Sequence, residues 1–242
     1  ARGLATRFTF DPGNENYPIW SPDGSRIAYL SSNPKDPGFY VRNASGAGSS
    51  ELLFAAGSNG LPSDWSSDGR FIAYDFNGPA QNRTDVWILP LDGDRKPYAF
   101  LQDRFDESQG RFSPDGRYFA YVSDESGRPE VYVQTFPDSR GKWQVSTMGG
   151  KDPAWRADGT ELFYLSPDQK MMAVPMAGQG ELEIGNAVVL FETRVVIPES
   201  SFRHYAVSKD GQRFLILTPI GEETPASTAV VVNWTAAIGG KR

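Results

Sequence analysis

Few residues in this chain have side chains suited to chemistry, and their spacing is informative. His204 is the only histidine, and there is no cysteine. A Ser-His-Asp hydrolase would have to use His204 as its base, yet no Gly-x-Ser-x-Gly elbow exists to present a nucleophile. Ser200 and Ser201 lie near His204 in sequence, but sequence proximity does not supply triad geometry. Zinc held by one histidine and carboxylates would be a weak site, so no metal and no cofactor is expected. Carboxylates are plentiful. Asp11, Asp64, Glu107 and Asp152 could flank a sugar if two of them stood about 5–9.5 Å apart. That keeps a carbohydrate-active hydrolase or lyase open as an alternative. The plainer explanation of abundant acids is solubility.

These residues must be positioned by a repeated unit. Asp-Gly pairs recur at 23–24, 68–69, 115–116, 158–159 and 210–211, in steps of 45, 47, 43 and 52 residues. An aromatic or apolar residue precedes each pair. A bulky apolar residue follows three positions after each glycine: Ile27, Ile72, Phe119, Leu162 and Phe214. Two positions further come Tyr29, Tyr74, Tyr121, Tyr164 and Ile216. Alternation of this kind places both on one face of a strand. In Ser-Pro-Asp-Gly, proline presets the turn and glycine takes the left-handed position. The motif therefore joins a first strand to a second, and its residues are those that turn geometry demands.

A period in the forties built from short β runs predicts propeller blades of four strands each. The expectation is a single all-β domain over residues 1–242. Its blades would span about 17–56, 61–102, 107–146, 151–191 and 204–234. The last blade lacks a fourth strand, and residues 5–10 form a spare β run before the first blade. Closure of a five-bladed ring by that N-terminal strand would remove exposed sheet edges.

Residues 20–29, WSPDGSRIAY, resemble the blade motif of TolB-like propellers, as do three other copies; residues 207–211 match more loosely. Residues 7–13 and 230–236 also resemble propeller regions fused C-terminally to some bacterial serine/threonine kinases. The resemblance implies an extracytoplasmic sensor or binding module, part of a longer membrane-anchored chain. It also implies that the Asp-Gly turns lie opposite the face that meets ligands. No Gly-rich nucleotide loop, His-Arg-Asp or Asp-Phe-Gly is present. Five blades, and no separate N-terminal domain in this sequence, depart from TolB itself.

The candidate face therefore lies at the other end of the strands. Three residues before each first-strand aromatic are Tyr17, Pro62, Gln109, Asp152 and His204; one before are Ile19, Asp64, Arg111, Ala154 and Ala206. Positions that only packed could share one residue type. These do not. Tyr17, Asp64, Gln109, Arg111, Asp152, Arg203 and His204 are the candidate ligand-binding residues, and their mixed charge suits a protein, a peptide or a small polar ligand. The alternative is a solvated rim of casual ion pairs. The longest step places an insertion at residues 192–203, read either as a lip over the mouth or as an irregular loop.

Bulk properties narrow the partners. Net charge is −6, with no basic run to neutralise phosphates, so nucleic acid is not expected. No apolar stretch approaches the roughly 20 residues of a membrane span. The reading is thus a non-catalytic binding or sensor module, with an enzyme of axial carboxylates and a ligand-free scaffold fragment as alternatives.

Overall fold

The computed structural model describes residues 7–57, 59–78, 83–178, 181–195, 203–218 and, as backbone alone, 229–232. It is all-β among the described residues, and every strand pairing is antiparallel. The chain divides into two compact units, Ala1–Leu101 and Gln102–Arg242.

Unit 1 holds two four-stranded sheets whose strands follow in chain order. The first is β1 (Glu15–Trp20), β2 (Arg26–Ser31), β3 (Gly38–Asn43) and β4 (Glu51–Phe54). The second is β5 (Gly60–Trp65), β6 (Phe71–Asn77), β7 (Thr84–Pro90) and β8 (Tyr98–Leu101). Their facing residues form one core, including Ile19, Leu30, Phe39, Trp65, Ile72 and Leu89.

Unit 2 holds three sheets. β9 (Glu107–Phe112), β10 (Tyr118–Ser123), β11 (Glu130–Thr135) and β12 (Lys142–Gln144) make the third. β13 (Lys151–Trp155), β14 (Glu161–Leu165), β15 (Lys170–Ala177), β16 (Glu183–Ile184) and β17 (Val188–Glu192) make the fourth. β18 (Tyr205–Val207), β19 (Arg213–Ile216) and β20 (Ala229–Val232) make the fifth. The third strand of the fourth sheet is the longest described, eight residues from Lys170 to Ala177. That extra length lets it pair with the short β16 as well as with β17.

The Asp-Gly turns share one hydrogen-bond scheme. Ser113 Oγ donates to Asp115 Oδ1 at 2.6 Å and accepts from the Tyr118 amide at 2.9 Å. Asp115 Oδ1 also accepts from the Arg117 amide at 3.1 Å, and the Gly116 amide donates to the Ser113 carbonyl at 2.9 Å. Ser21, Ser66 and Ser208 repeat this pattern. In the fourth sheet Arg156 replaces the serine, and its guanidinium reaches Glu161 at 3.0 Å. The five glycines have φ between 70° and 76°, the left-handed region in which a side chain would be strained. The Asp-Gly motif is thus fully engaged in building turns.

Residues 7–10 lie outside any strand, with Phe8 and Phe10 beside the Arg42 guanidinium on β3. The run 5–10, expected as a strand completing the fifth blade, forms no strand at residues 7–10; residues 5 and 6 lie outside the described residues, and the fifth sheet has three strands among those described. Of the insertion at 192–203, residues 196–202, including Ser200 and Ser201, lie outside them too.

Candidate functional site

The first strand of most sheets carries a register shift at its loop end. In the third sheet Arg111 pairs with Ala120 and Ser108 with Val122, so Gln109 and Gly110 together oppose Tyr121. In the fourth sheet Ala154 pairs with Phe163 and Lys151 with Leu165, so Asp152 and Pro153 oppose Tyr164. In the first, Tyr17 and Pro18 oppose Tyr29. Two residues facing one is a β-bulge, which re-aims a side chain out of simple alternation. Tyr17, Gln109 and Asp152 have φ of 54°, 59° and 55°. The second sheet cannot copy this, because Pro62 has its φ fixed by the ring; there the extra residue is Ser63. The repeat's tyrosine sits opposite each bulge, and burial raises its phenol pKa.

The bulge residues of unit 2 are linked to one another. The Asp152 amide donates to Gln109 Oε1 at 2.8 Å. Asp152 Oδ2 lies 2.5 Å from His204 Nδ1. The Asp152 carbonyl accepts from the Tyr205 hydroxyl at 2.8 Å. Residues from β9, β13 and the segment entering β18 are therefore tied through one aspartate. Gln109, Arg111, Asp152 and His204 are all buried, Asp152 with 2 % exposure. Asp152 Oδ1 is buried without a hydrogen-bond partner. Burial pushes the Tyr205 phenol well up; Asp152 adds to this, and the guanidinium groups of Arg111 and Arg203 oppose it. Both arginines therefore act on the same small region. Arg111 donates to the Gly110 carbonyl at 2.7 Å, and its own carbonyl accepts from Trp155 Nε1 at 3.3 Å.

Gly110 makes this approach possible. A Cβ there would stand 2.3 Å from the Phe119 ring. The loop end is also braced from the next strand. The Gly150 amide donates to the Pro129 carbonyl at 3.0 Å, and the Gly149 amide to the buried Glu130 carboxylate at 2.8 Å. This joins the loop entering β13 to the loop entering β11, as expected of segments sharing one end of the strands.

Five of the seven sequence candidates, Gln109, Arg111, Asp152, Arg203 and His204, thus share one neighbourhood. Tyr17 and Asp64 hold equivalent positions in unit 1. Tyr17 is half-buried on its bulge, its phenol raised by burial and then by Asp75. Asp64 is half-buried opposite Ala73. Of the other acids, Asp11 is exposed and accepts from Ser50 at 3.3 Å, whereas Glu107 is buried. Among the described residues, no three His, Asp or Glu side chains are grouped as a metal site would require. Tyr205, whose hydroxyl donates to the Asp152 carbonyl, is not among the sequence candidates. Its signal is a hydroxyl that needs a partner once its ring is buried.

Comparison with known proteins places this geometry. Residues 16–222 match the model of the TolB beta propeller domain. The Tol-Pal system protein TolB of Bordetella pertussis is 30% identical over 115 residues, 48% of this chain and 26% of that protein. A putative tricorn protease homolog 2 of Streptomyces coelicolor is 37% identical over 68 residues, 28% of this chain and 6% of that protein. The crystal structure of TolB from Acinetobacter baumannii aligns with a TM-score of 0.67 at 21% identity, covering 86% of this chain and 50% of that one. This chain spans about a quarter of the length of the curated TolB relative.

Proposed function

The chain belongs to the TolB beta propeller domain family, and from that premise we propose that it is a non-catalytic binding module. Its ligand is a protein, a peptide or a small polar molecule, engaged through Gln109, Arg111, Asp152, Arg203 and His204, with Tyr17 and Asp64 as the corresponding residues of unit 1. The observation that carries this reading is the Gln109–Asp152–His204 chain. It assembles unlike polar residues at one repeated position and holds two of them in left-handed backbone. Side chains in that conformation cost on the order of 1–2 kcal/mol each, a cost that packing alone does not require. Binding residues on loop ends of a rigid β scaffold follow the usual division of labour.

The relatives named for the Tol-Pal system lend weight to a protein partner. An extracytoplasmic location and a sensor role within a longer membrane-anchored chain belong to the same proposal. The described residues contain no helix long and apolar enough to cross a membrane.

The test is selection of binders from a random displayed peptide library, followed by affinity measurement on variants. Asp152→Asn and His204→Gln should each weaken a selected peptide by about tenfold or more, the loss of one charge-assisted hydrogen bond. Ser67→Ala, on the opposite turns, should leave affinity unchanged. Equal affinity across all three variants would reject the site.

A further inference from the structure

We propose that the fifth sheet of one copy of this chain docks on the first sheet of a second copy, through Arg213, Leu215 and Leu217 on one side and Trp20 and Ile27 on the other. This contact is independent of the loop-end site.

Within each unit, neighbouring sheets stack in one way. Alternate residues of the second strand face the following sheet. The Arg26 guanidinium of β2 lies 5.3 Å from the centre of the Trp65 ring, and Ala28 and Leu30 share a core with Trp65, Ile72 and Tyr74 of the second sheet. In unit 2, Tyr118, Ala120 and Val122 share a core with Leu162 and Tyr164 of the fourth sheet. Phe163 and Leu165 do the same with Phe214 and Ile216 of the fifth. The receiving side is equally regular. Trp65, the last residue of its first strand, is buried by the sheet before it, and Ile72 and Leu162 are fully buried.

Two faces repeat this pattern and remain exposed. On β19, Phe214 and Ile216 are buried, and Arg213, Leu215 and Leu217 alternate with them on the other face. All three are exposed, the leucines by 47% and 60%. Counted from the turn aspartates Asp210 and Asp23, they hold the positions of Arg26, Ala28 and Leu30. On the first sheet, Trp20 ends β1 as Trp65 ends β5, yet it is 60% exposed, and Ile27 is half-buried. Trp20 pairs with Ile27, and Ile27 with Arg42, so the three share one face. Exposed apolar surface of this kind marks an interaction site.

The occupant follows from the match between the faces. Arg213 stands to Trp20 as Arg26 stands to Trp65, a guanidinium for an indole ring, and Leu215 and Leu217 supply the apolar contact that Ala28 and Leu30 make. Like faces do not fit. Two fifth sheets would set Arg213 against Arg213, and two first sheets would leave both leucines uncovered. The contact is therefore head-to-tail. Phe8 and Phe10 lie beside Arg42 on the receiving face. The docked fifth sheet would thus come to lie beside the run expected to complete a fifth blade.

Analytical ultracentrifugation of the full chain, from dilute solution up to its solubility limit, tests this. The wild type should form a species of two or more copies that dissociates on dilution. Trp20→Glu removes the receiving face and Leu215→Glu the offered one, and each alone should sediment as a single copy. Their equimolar mixture should regain a two-copy species, because one variant keeps an intact fifth sheet and the other an intact first sheet. Arg213→Gln, a milder change at an exposed position, should weaken association severalfold, the loss of one cation–π contact. A wild type that stays single-copy throughout would overturn the proposal and leave closure to a single chain. Association that survives either glutamate would overturn it too, as would a mixture of folded variants that stays single-copy. Should a glutamate variant lose its circular dichroism spectrum, Arg213→Gln decides: association as strong as the wild type's rejects the interface.

Discussion

At the residue scale, the candidate site is built by backbone exceptions more than by unusual side chains. Gln109 and Asp152 are ordinary polar residues until a bulge gives them φ near +55° to +59° and turns them toward each other. Gly110 pays for none of this with flexibility; its φ is ordinary, and what matters is the absent Cβ. Gly110→Ala drives a methyl into the Phe119 ring and should destabilise the protein by about 1–3 kcal/mol, measured by denaturant unfolding. Gln169 offers the opposite case. It is exposed and holds φ of 62° in a Ser-Pro-Asp turn between β14 and β15, where the other turns place glycine. Gln169→Gly should stabilise by up to about 1 kcal/mol, the left-handed penalty less the glycine's extra unfolded entropy. A lower midpoint in that variant would contradict the account of these turns.

At the element scale, the turns and the loop ends divide the labour. Each Asp-Gly turn spends its serine and aspartate on its own amides. Ser113→Ala leaves the buried Tyr118 amide without its partner and should cost roughly 1–3 kcal/mol, without altering ligand affinity. The carboxylates give the turns a pH signature. The Ser21 hydroxyl, then the Ser25 amide and hydroxyl, lower Asp23 from 3.8 to about 2. Asp158 and Asp210 are lowered by their Thr160 and Ser208 hydroxyls. A carboxyl group lowered in the folded state stabilises above its unfolded value and loses that contribution as pH falls through the folded one. The melting temperature should therefore fall between pH 4 and pH 2. Replacing the serines at 21, 66, 113 and 208 by alanine should flatten that fall, and an unchanged slope would count against the turn scheme.

This division explains what could be read from the sequence. The turns were legible because glycine, proline and aspartate are geometric requirements there, as were the tyrosines two positions beyond each apolar residue. The unlike residues Gln109, Asp152 and His204 were legible as candidates by their spacing alone. The bulges that join them were not, since a one-residue slip leaves no composition of its own. A trace existed: Pro18 and Pro153 sit inside first strands with Gly110 at the corresponding place, and Pro62 lies one position earlier in its strand; proline or glycine within a strand marks a bulge or an edge. The hydrogen-bond role of Tyr205 and the extra β16 depend on tertiary contacts that spacing does not encode.

At the scale of the whole molecule, family membership and the five sheets agree with the repeat read from the Asp-Gly spacing; residues 7–10 of the run expected to close the ring lie outside any strand, so closure is a proposal to be tested. Deleting residues 1–10 should lower the melting temperature by several degrees if they fill a sheet edge; removing the Phe8 and Phe10 contacts with Arg42 alone, by alanine substitution, should cost less. Equal effects of the two changes would remove closure from the account. The central claim is that function resides at the loop ends of the first strands and structure at the turns. Hydrogen exchange of the chain with and without a bound, library-selected peptide tests it directly. The account expects new protection at residues 107–112, 151–155 and 203–207, with the segments 113–118 and 156–161 unchanged. Protection confined to the Asp-Gly turns would contradict it.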